Sequence, residues 1–500
     1  MVPSAAGRQW MNRASGNRTF EGDIRPSRVP LFRFGRPSLP FPHFLNYREP
    51  IRILDTFFWR TDALAGSARH NRYLDVPGFP LVLVTREPAV IRSVLSDTGD
   101  KDGQFDRDTS PSAGIARATG EDSLLYANGP LWRQQKKLAA PSFSHSSLFQ
   151  PEKFHEFEQT FRKTVSDRLD LLRERQAETG EVVSRIALEP EISVVMLEML
   201  INNFFGGNTR YEELRDRYVP SMLLLIDHMV RDTIAHRLRR PFHVLSGRAA
   251  KLRQARADFE ELTDIALAGR SDGLGLWAQF KSDASDEKLR SNIRVFLAGA
   301  LEATTSFASW ALSHLARAPE IQDRIFEEVR GINVYDPDNL AQAATLGRVL
   351  EETLRLTPSL YFLPRRASVD TWVETKDGRR LRIPRGTHVV LDVWHANRCE
   401  DFWGEEVSGA PAEAFAPERW VELAARGYSP KDILHFGFGY GPRVCPGKFL
   451  GLLEVGLVVG AFVKIFRFTA PNHRLQPKAG VSTKPADGVL VDLQVRGHIL

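Results

Sequence analysis

Phe436-Gly437-Phe438-Gly439-Tyr440-Gly441-Pro442-Arg443-Val444-Cys445-Pro446-Gly447 is the stretch from which the rest of the chain is read. Alternating glycines permit backbone bends that other residues resist. Cys445 follows them, just ahead of a helical run reaching about Phe466, with Pro446 suited to a first helical position. A helix N-terminus offers unpaired N–H groups and a positive dipole end. Both stabilise a thiolate and lower its pKa. The loop is therefore expected to hold a sulfur anion out toward something flat and electrophilic, with Gly447 allowing close approach. Arg443 adds a cation suited to a carboxylate. Against this stands the commoner fate of a single cysteine, a small buried hydrophobe.

Working outward, the chain reads as mainly helical with a small β region (α+β) in one large domain. Apolar residues recur at helical spacing over 151–176, 187–205, 211–236, 248–270 and 286–318, and again at 319–330 and 345–357. The segment 80–85 reads as a strand and 87–96 as the helix after it. Residues 360–395 hold short strand-like runs broken by Lys376-Asp377-Gly378 and Pro384-Arg385-Gly386. Residues 100–125 are polar and Gly/Ser-rich and read as a long loop that either covers a site or is disordered. Residues 1–45 read as a tail and irregular lead-in, and 46–500 as the catalytic domain.

The chain has 500 residues, 42% apolar and 26% charged, with a formal net charge of +5, ample for a large core. The charge is dispersed, so no nucleic-acid arm is read from it. Two cysteines, Cys399 and Cys445, make no disulfide framework and lack zinc-site spacing. No stretch approaches the roughly 20 apolar residues of a bilayer span, and no signal-peptide core is present. A cytoplasmic protein is expected, or an organellar one after loss of an N-terminal segment.

The segment 286–318 is expected to form a helix of about 50 Å. Its middle reads Ala298-Gly-Ala-Leu-Glu-Ala-Thr-Thr-Ser306. Gly299 costs about 1 kcal/mol there relative to Ala, and the threonines are poor helix formers. Such a local weakness favours a functional site, although close packing of helices through small residues explains it equally well.

The cysteine loop resembles the haem-binding signature of cytochromes P-450, Phe-Gly-x-Gly-x-Arg-x-Cys-x-Gly, with Phe438, Gly439, Gly441, Arg443, Cys445 and Gly447 at every fixed position. Further segments resemble the family in the right order over roughly residues 75–470. Glu352-Thr-Leu-Arg355 resembles its Glu-x-x-Arg motif. Arg419 stands in a Pro-Glu-Arg motif, and the family joins these three in a network bracing the haem core. Trp132-Arg-Gln-Gln-Lys136 resembles its Trp-x-x-x-Arg helix, with Lys136 in place of arginine; both residues, like Arg365, fall where the family contacts haem propionates.

The resemblance implies haem b, with Cys445 as the axial ligand beneath a long central helix. On that helix Gly299 would sit beside the haem, and Glu302 and Thr304 are the candidate catalytic residues, with Ala303 where the family's threonine usually stands. It implies insertion of one oxygen atom from O2 into a small apolar organic substrate, bound by Phe296, Ala300, Ala303, Leu360 and Phe362. The sequence carries no dinucleotide or flavin fingerprint and no iron–sulfur cysteine cluster. Electrons are therefore expected from a separate donor, a ferredoxin or flavin reductase, docked at a face carrying Arg133, Lys136, Lys137 and Lys448. Peroxide-using or peroxide-rearranging chemistry is the alternative, and a non-catalytic haem protein a more distant one.

Overall fold

The computed structural model describes residues 50–59, 69–74, 80–99, 103–144, 151–179, 183–235, 248–272, 286–429, 435–472 and 475–496, with the paired dipeptides 32–33 and 36–37. Most of the expected lead-in, 1–45, lies outside the described residues. Helices fill the body and strands gather at two edges. In chain order the elements that position the site are β1 (Asn71–Leu74), β2 (Val82–Thr85), α1 (Pro88–Ser96), β3 (Phe105–Arg107), α2 (Ala113–Thr119) and α3 (Gly129–Ala139). Then follow α4 (Pro151–Thr179), β4 (Ser184–Ala187), α5 (Glu189–Glu198), α6 (Val219–Ala235), α7 (Arg248–Asp272) and α8 (Asp286–Leu315). The C-terminal part holds α9 (Pro319–Val329), α10 (Ala344–Leu356), β5 (Leu363–Ala367), β6 (Thr371–Glu374), β7 (Arg380–Ile383) and β8 (His388–Leu391). It ends with α11 (Arg419–Ala425), α12 (Lys448–Ile465), β9 (Phe466–Thr469), β10 (Pro477–Ala479), β11 (Thr483–Pro485) and β12 (Leu490–Val495).

One five-stranded sheet runs β1-β2-β8-β5-β3, antiparallel except where β8 meets β2 in parallel. A three-stranded sheet runs β9-β12-β4, and β6–β7 and β10–β11 are separate hairpins. The largest core joins α4, α5, α6, α8, α10 and α12 through residues such as Phe161, Leu197, Met222, Ile293, Leu301, Val349 and Val459. A second core lies under the five-stranded sheet, against the Val90, Ile91, Val94 and Leu95 face of α1. Both reflect periodicity: α1 and α10 each bury one stripe of apolar residues.

Two expectations need correction. The segment 100–125 is not one loop. It contains β3, a turn of 3-10 helix at Ser110–Ser112, and α2. And among the described residues one helix, Glu287–Leu315 within α8, is long and apolar enough to cross a bilayer. Some 72% of its most apolar window is packed inside the protein, as befits a core helix.

Candidate functional site

The cysteine loop lies between α1, α10 and α12. Gly439 and Gly441 take φ of +74° and +71°. Gly441 is also pressed against α1: a Cβ there would stand 2.4 Å from the Leu95 carbonyl oxygen. The loop closes on itself where the Cys445 amide donates to the Phe438 carbonyl (2.9 Å). The Phe438 ring meets Phe307 of α8 edge-on, with centroids 6.4 Å apart.

Cys445 is less favoured as a thiolate than expected. α12 begins at Lys448 with Gly447 as its cap, so Pro446 is not the first helical residue and Cys445 lies outside the helix. Burial pushes its thiol up to about 11, opposed by a hydrogen bond from the Gly447 amide. Its side chain is nonetheless accessible, so it faces a cleft within the protein. A coordinated metal deprotonates such a thiol outright, so this donor is suited to a cation and not to a free thiolate.

The other cysteine, Cys399, is buried beside His70 and Asp401, with their potential ligand atoms within 4.8 Å. Arg86 Nε donates to His70 Nδ1 (3.2 Å), His70 Nε2 faces Asp401 (2.9 Å), and Arg69 pairs with the same carboxylate (3.2 Å). Both ring nitrogens are engaged and two guanidiniums already crowd the cluster. It is an ion-pair network, not a cation site.

On one side of the cysteine loop, the described structure gathers three arginines, with Asp106 and Asp108 as the acids acting on them. Arg443 stacks on Trp132, 4.6 Å from the ring centroid, and donates to the Ala127 carbonyl (2.6 Å) and Asn128 Oδ1 (2.9 Å). Its Nε is buried with no partner. Arg365 is buried on β5, donating to Thr98 Oγ1 (3.2 Å) and the Pro364 carbonyl (2.8 Å), whereas its neighbour Arg366 is exposed. Directly across the strand pair stands Arg107 of β3, whose Nε also lacks a partner. Burial depresses all three groups; repulsion from Arg107 adds to it at Arg365 and at Arg443, which falls to about 9, whereas Tyr126 and Asp108 partly offset it at Arg107. Like charges directly opposite on paired strands destabilise a sheet. Orphaned guanidinium N–H groups beside a metal-seeking sulfur are what a ligand with two carboxylates and a central metal would satisfy.

Arg107 was not foreseen from sequence. Its signal, a second arginine facing Arg365, exists only once β3 pairs with β5. Lys136 does not join the group. It is exposed, donating to the Pro442 carbonyl (3.0 Å), with its Nζ 5.2 Å from the Trp132 centroid.

Below the loop, Glu352, Arg355 and Arg419 come together as expected, all fully buried. Arg355 grips Glu352 with two hydrogen bonds (2.9 and 2.8 Å), and Arg419 Nε adds a third (3.1 Å). The remaining guanidinium donors bind carbonyls along 397–414, among them Ala412 (2.8 Å), Trp403 (2.8 Å) and Pro411 (2.8 Å). Burial alone would raise the Glu352 carboxyl, but its two arginines hold it below the usual range.

Above the loop runs α8, about 45 Å long. Phe296, Gly299, Ala300, Ala303 and Thr304 are partly exposed while Leu297, Ala298, Leu301, Glu302 and Thr305 are buried. These spacings describe one helix face bordering open space. A Cβ built on Gly299 meets nothing within 4 Å, so helix–helix packing does not explain that glycine. Thr304 Oγ1 donates back to the Ala300 carbonyl (2.8 Å), and Ser359 Oγ donates to the Ala303 carbonyl (3.0 Å). Glu302 points elsewhere. It accepts from Ser482 (2.7 Å) and Lys484 (3.1 Å) beside and within β11, and Lys484 also approaches Glu189 (3.5 Å). The structure therefore separates Glu302 from Thr304. Leu360 is 38% exposed and Phe362 partly buried.

Comparison with known proteins agrees with this architecture. The model of the cytochrome P-450 family matches residues 76–490. The putative cytochrome P-450 CYP13A2 of Caenorhabditis elegans is 24% identical, covering 84% of this chain and 85% of its own. The 11-oxo-beta-amyrin 30-oxidase of Medicago truncatula is 26% identical over 85% and 80% of the two chains. A cytokinin hydroxylase of Arabidopsis thaliana is 26% identical over 74% and 71%. With most of its length matched, this chain belongs to the cytochrome P-450 family, the haem b monooxygenases.

Proposed function

We propose that this protein inserts one atom of O2 into a small apolar organic substrate, with Cys445 as the haem ligand and electrons from a separate ferredoxin or flavin reductase. Haem, when bound, supplies the activation of dioxygen, and thiolate donation to its iron favours O–O cleavage. Trp132, Arg107, Arg365 and Arg443 would hold the haem carboxylates, Phe438 and Gly439 would shape the loop that presents Cys445 to the haem, and Gly299 would leave room for it beside α8.

The observation that carries the reading is the partly exposed α8 face, on a helix whose Phe307 meets Phe438 of the cysteine loop. Phe296, Ala300 and Ala303 offer a small apolar surface there, and Leu360 and Phe362 are candidates to extend it. Thr304 is the hydroxyl on that face, so it orders water and passes protons near the reacting oxygen. Glu302, engaged by Lys484, anchors α8 to the β10–β11 hairpin and takes no part in the relay.

The exposed Arg133, Lys136, Lys137 and Lys448 form a basic docking face for an acidic donor protein. We assign the enzyme to the cytoplasm, or to an organelle after loss of an N-terminal segment, with residues 46–500 acting as one catalytic domain and without nucleic acid as a partner. The test is turnover of an apolar substrate panel with labelled dioxygen and a reductase–ferredoxin pair. One labelled oxygen in product supports the proposal. Product formed with hydrogen peroxide but never with dioxygen and electrons assigns peroxide chemistry instead, a reading that the diverted Glu302 favours.

A further inference from the structure

We infer that His435 is a positioning residue for the thiolate loop: its imidazole, accepting from the loop backbone, fixes the bend from which Cys445 is presented. The inference rests on Cys445 being the haem ligand. Phe436, the next residue, is buried and takes φ of +54°, a conformation that a bulky side chain rarely adopts. Something must hold it there. The Gly437 amide donates to His435 Nδ1 (3.0 Å), an i to i+2 bond across Phe436. Gly437 is tailored to this contact, because a Cβ there would stand 2.9 Å from the same nitrogen and 3.0 Å from Leu354 Cβ.

Accepting that bond leaves Nδ1 unprotonated, so the proton sits on Nε2, which donates to Glu351 Oε2 (2.7 Å). The carboxylate thereby selects the tautomer that the loop needs. Burial would raise the Glu351 carboxyl, but the His435 bond and the nearby Lys448 keep it low and ionised. The His435 backbone is pinned as well. Asn397 Nδ2 donates to its carbonyl (2.7 Å) and to that of Arg355 (2.8 Å). The Glu352–Arg355–Arg419 cluster thus reaches the cysteine loop through Asn397 and His435. From Phe436 the path is short: its carbonyl accepts from the Gly439 amide (2.8 Å), and the Phe438 carbonyl accepts from Cys445 (2.9 Å).

The experiment follows the reduced, carbon-monoxide-bound holoprotein in dilute urea, timing its passage from the thiolate Soret band to the neutral-thiol band. H435L should convert roughly 2–10-fold faster than wild type, the factor carried by one hydrogen bond of ordinary net strength. H435N should return close to the wild-type rate, since an Asn carbonyl can also accept from the amide two residues on. E351L should quicken conversion and E351Q should not; this pair decides the matter where H435L does not fold. Wild-type rates in H435L or E351L overturn the inference, as does H435N matching H435L, which would reduce His435 to a space-filling role. A wild-type protein with no thiolate band overturns the ligand assignment itself.

Discussion

Arg107 offers a test whose sign reverses with haem. β3 and β5 place it directly opposite Arg365, and its charge depresses both Arg365 and Arg443. In haem-free protein, Arg107→Ala removes a desolvated cation that repels Arg365 and Arg443, so the unfolding midpoint should rise. In the holoprotein the same change deletes a charge-assisted hydrogen bond to a haem carboxylate, worth about 1.5–3 kcal/mol. Haem should then leave about 10- to 150-fold faster. The assay is transfer of haem to an excess of a scavenging apoglobin, paired with thermal unfolding of both forms. Arg107→Lys keeps the charge and loses the planar fork, so its effect on haem release should be smaller. Unchanged haem release in Arg107→Ala, or a lower midpoint in the haem-free form, would show that Arg107 serves the protein alone.

Glu352→Gln leaves two buried guanidiniums without a counter-charge, and removing one member of such a cluster costs about 3–5 kcal/mol. Urea unfolding should show that loss, and a change below about 1 kcal/mol contradicts the role given to the network. Thr304→Ala should raise the share of electrons lost to peroxide at unchanged thermal stability. Glu302→Gln should do the reverse, lowering stability by leaving Lys484 with only the longer pairing to Glu189 while leaving that share alone; swapped behaviour refutes the separation of the two. Glu454 is buried on α12, where burial pushes its carboxyl from the ordinary 4.5 to about 8. The folded state therefore holds a proton that the unfolded state releases, and stability falls as pH rises from about 4.5 to 8, by up to about 4–5 kcal/mol. Glu454→Gln should flatten that decline, which urea midpoints measured across this range will test.

The helical body, the cysteine loop and the Glu352–Arg355–Arg419 cluster were readable because each carries its signal locally, in periodicity or in tight spacing. The segment 100–125 was not. Its Gly114 reads as a loop residue, yet a Cβ there would stand 2.0 Å from the Met229 carbonyl; the glycine is present because α6 crosses α2 at contact. β3 is only three residues long and exists through pairing with β5, some 260 positions later. Arg107 was hidden with it. The fate of Glu302 was equally non-local, since Ser482 and Lys484 lie about 180 residues beyond it. The acid strength of Cys445 was misjudged for a finer reason: α12 starts two residues later than Pro446 implied, and the sulfur keeps one amide where a helix end would have offered several.

All of the chemistry depends on sulfur bonded to iron, and the reduced carbon-monoxide difference spectrum reads that bond directly. The purified protein should give the Soret band of a thiolate-ligated haem, and Cys445→Ala should abolish it while Cys399→Ala leaves it intact. A histidine-type band in the wild type, or a thiolate band that survives Cys445→Ala, would contradict the account.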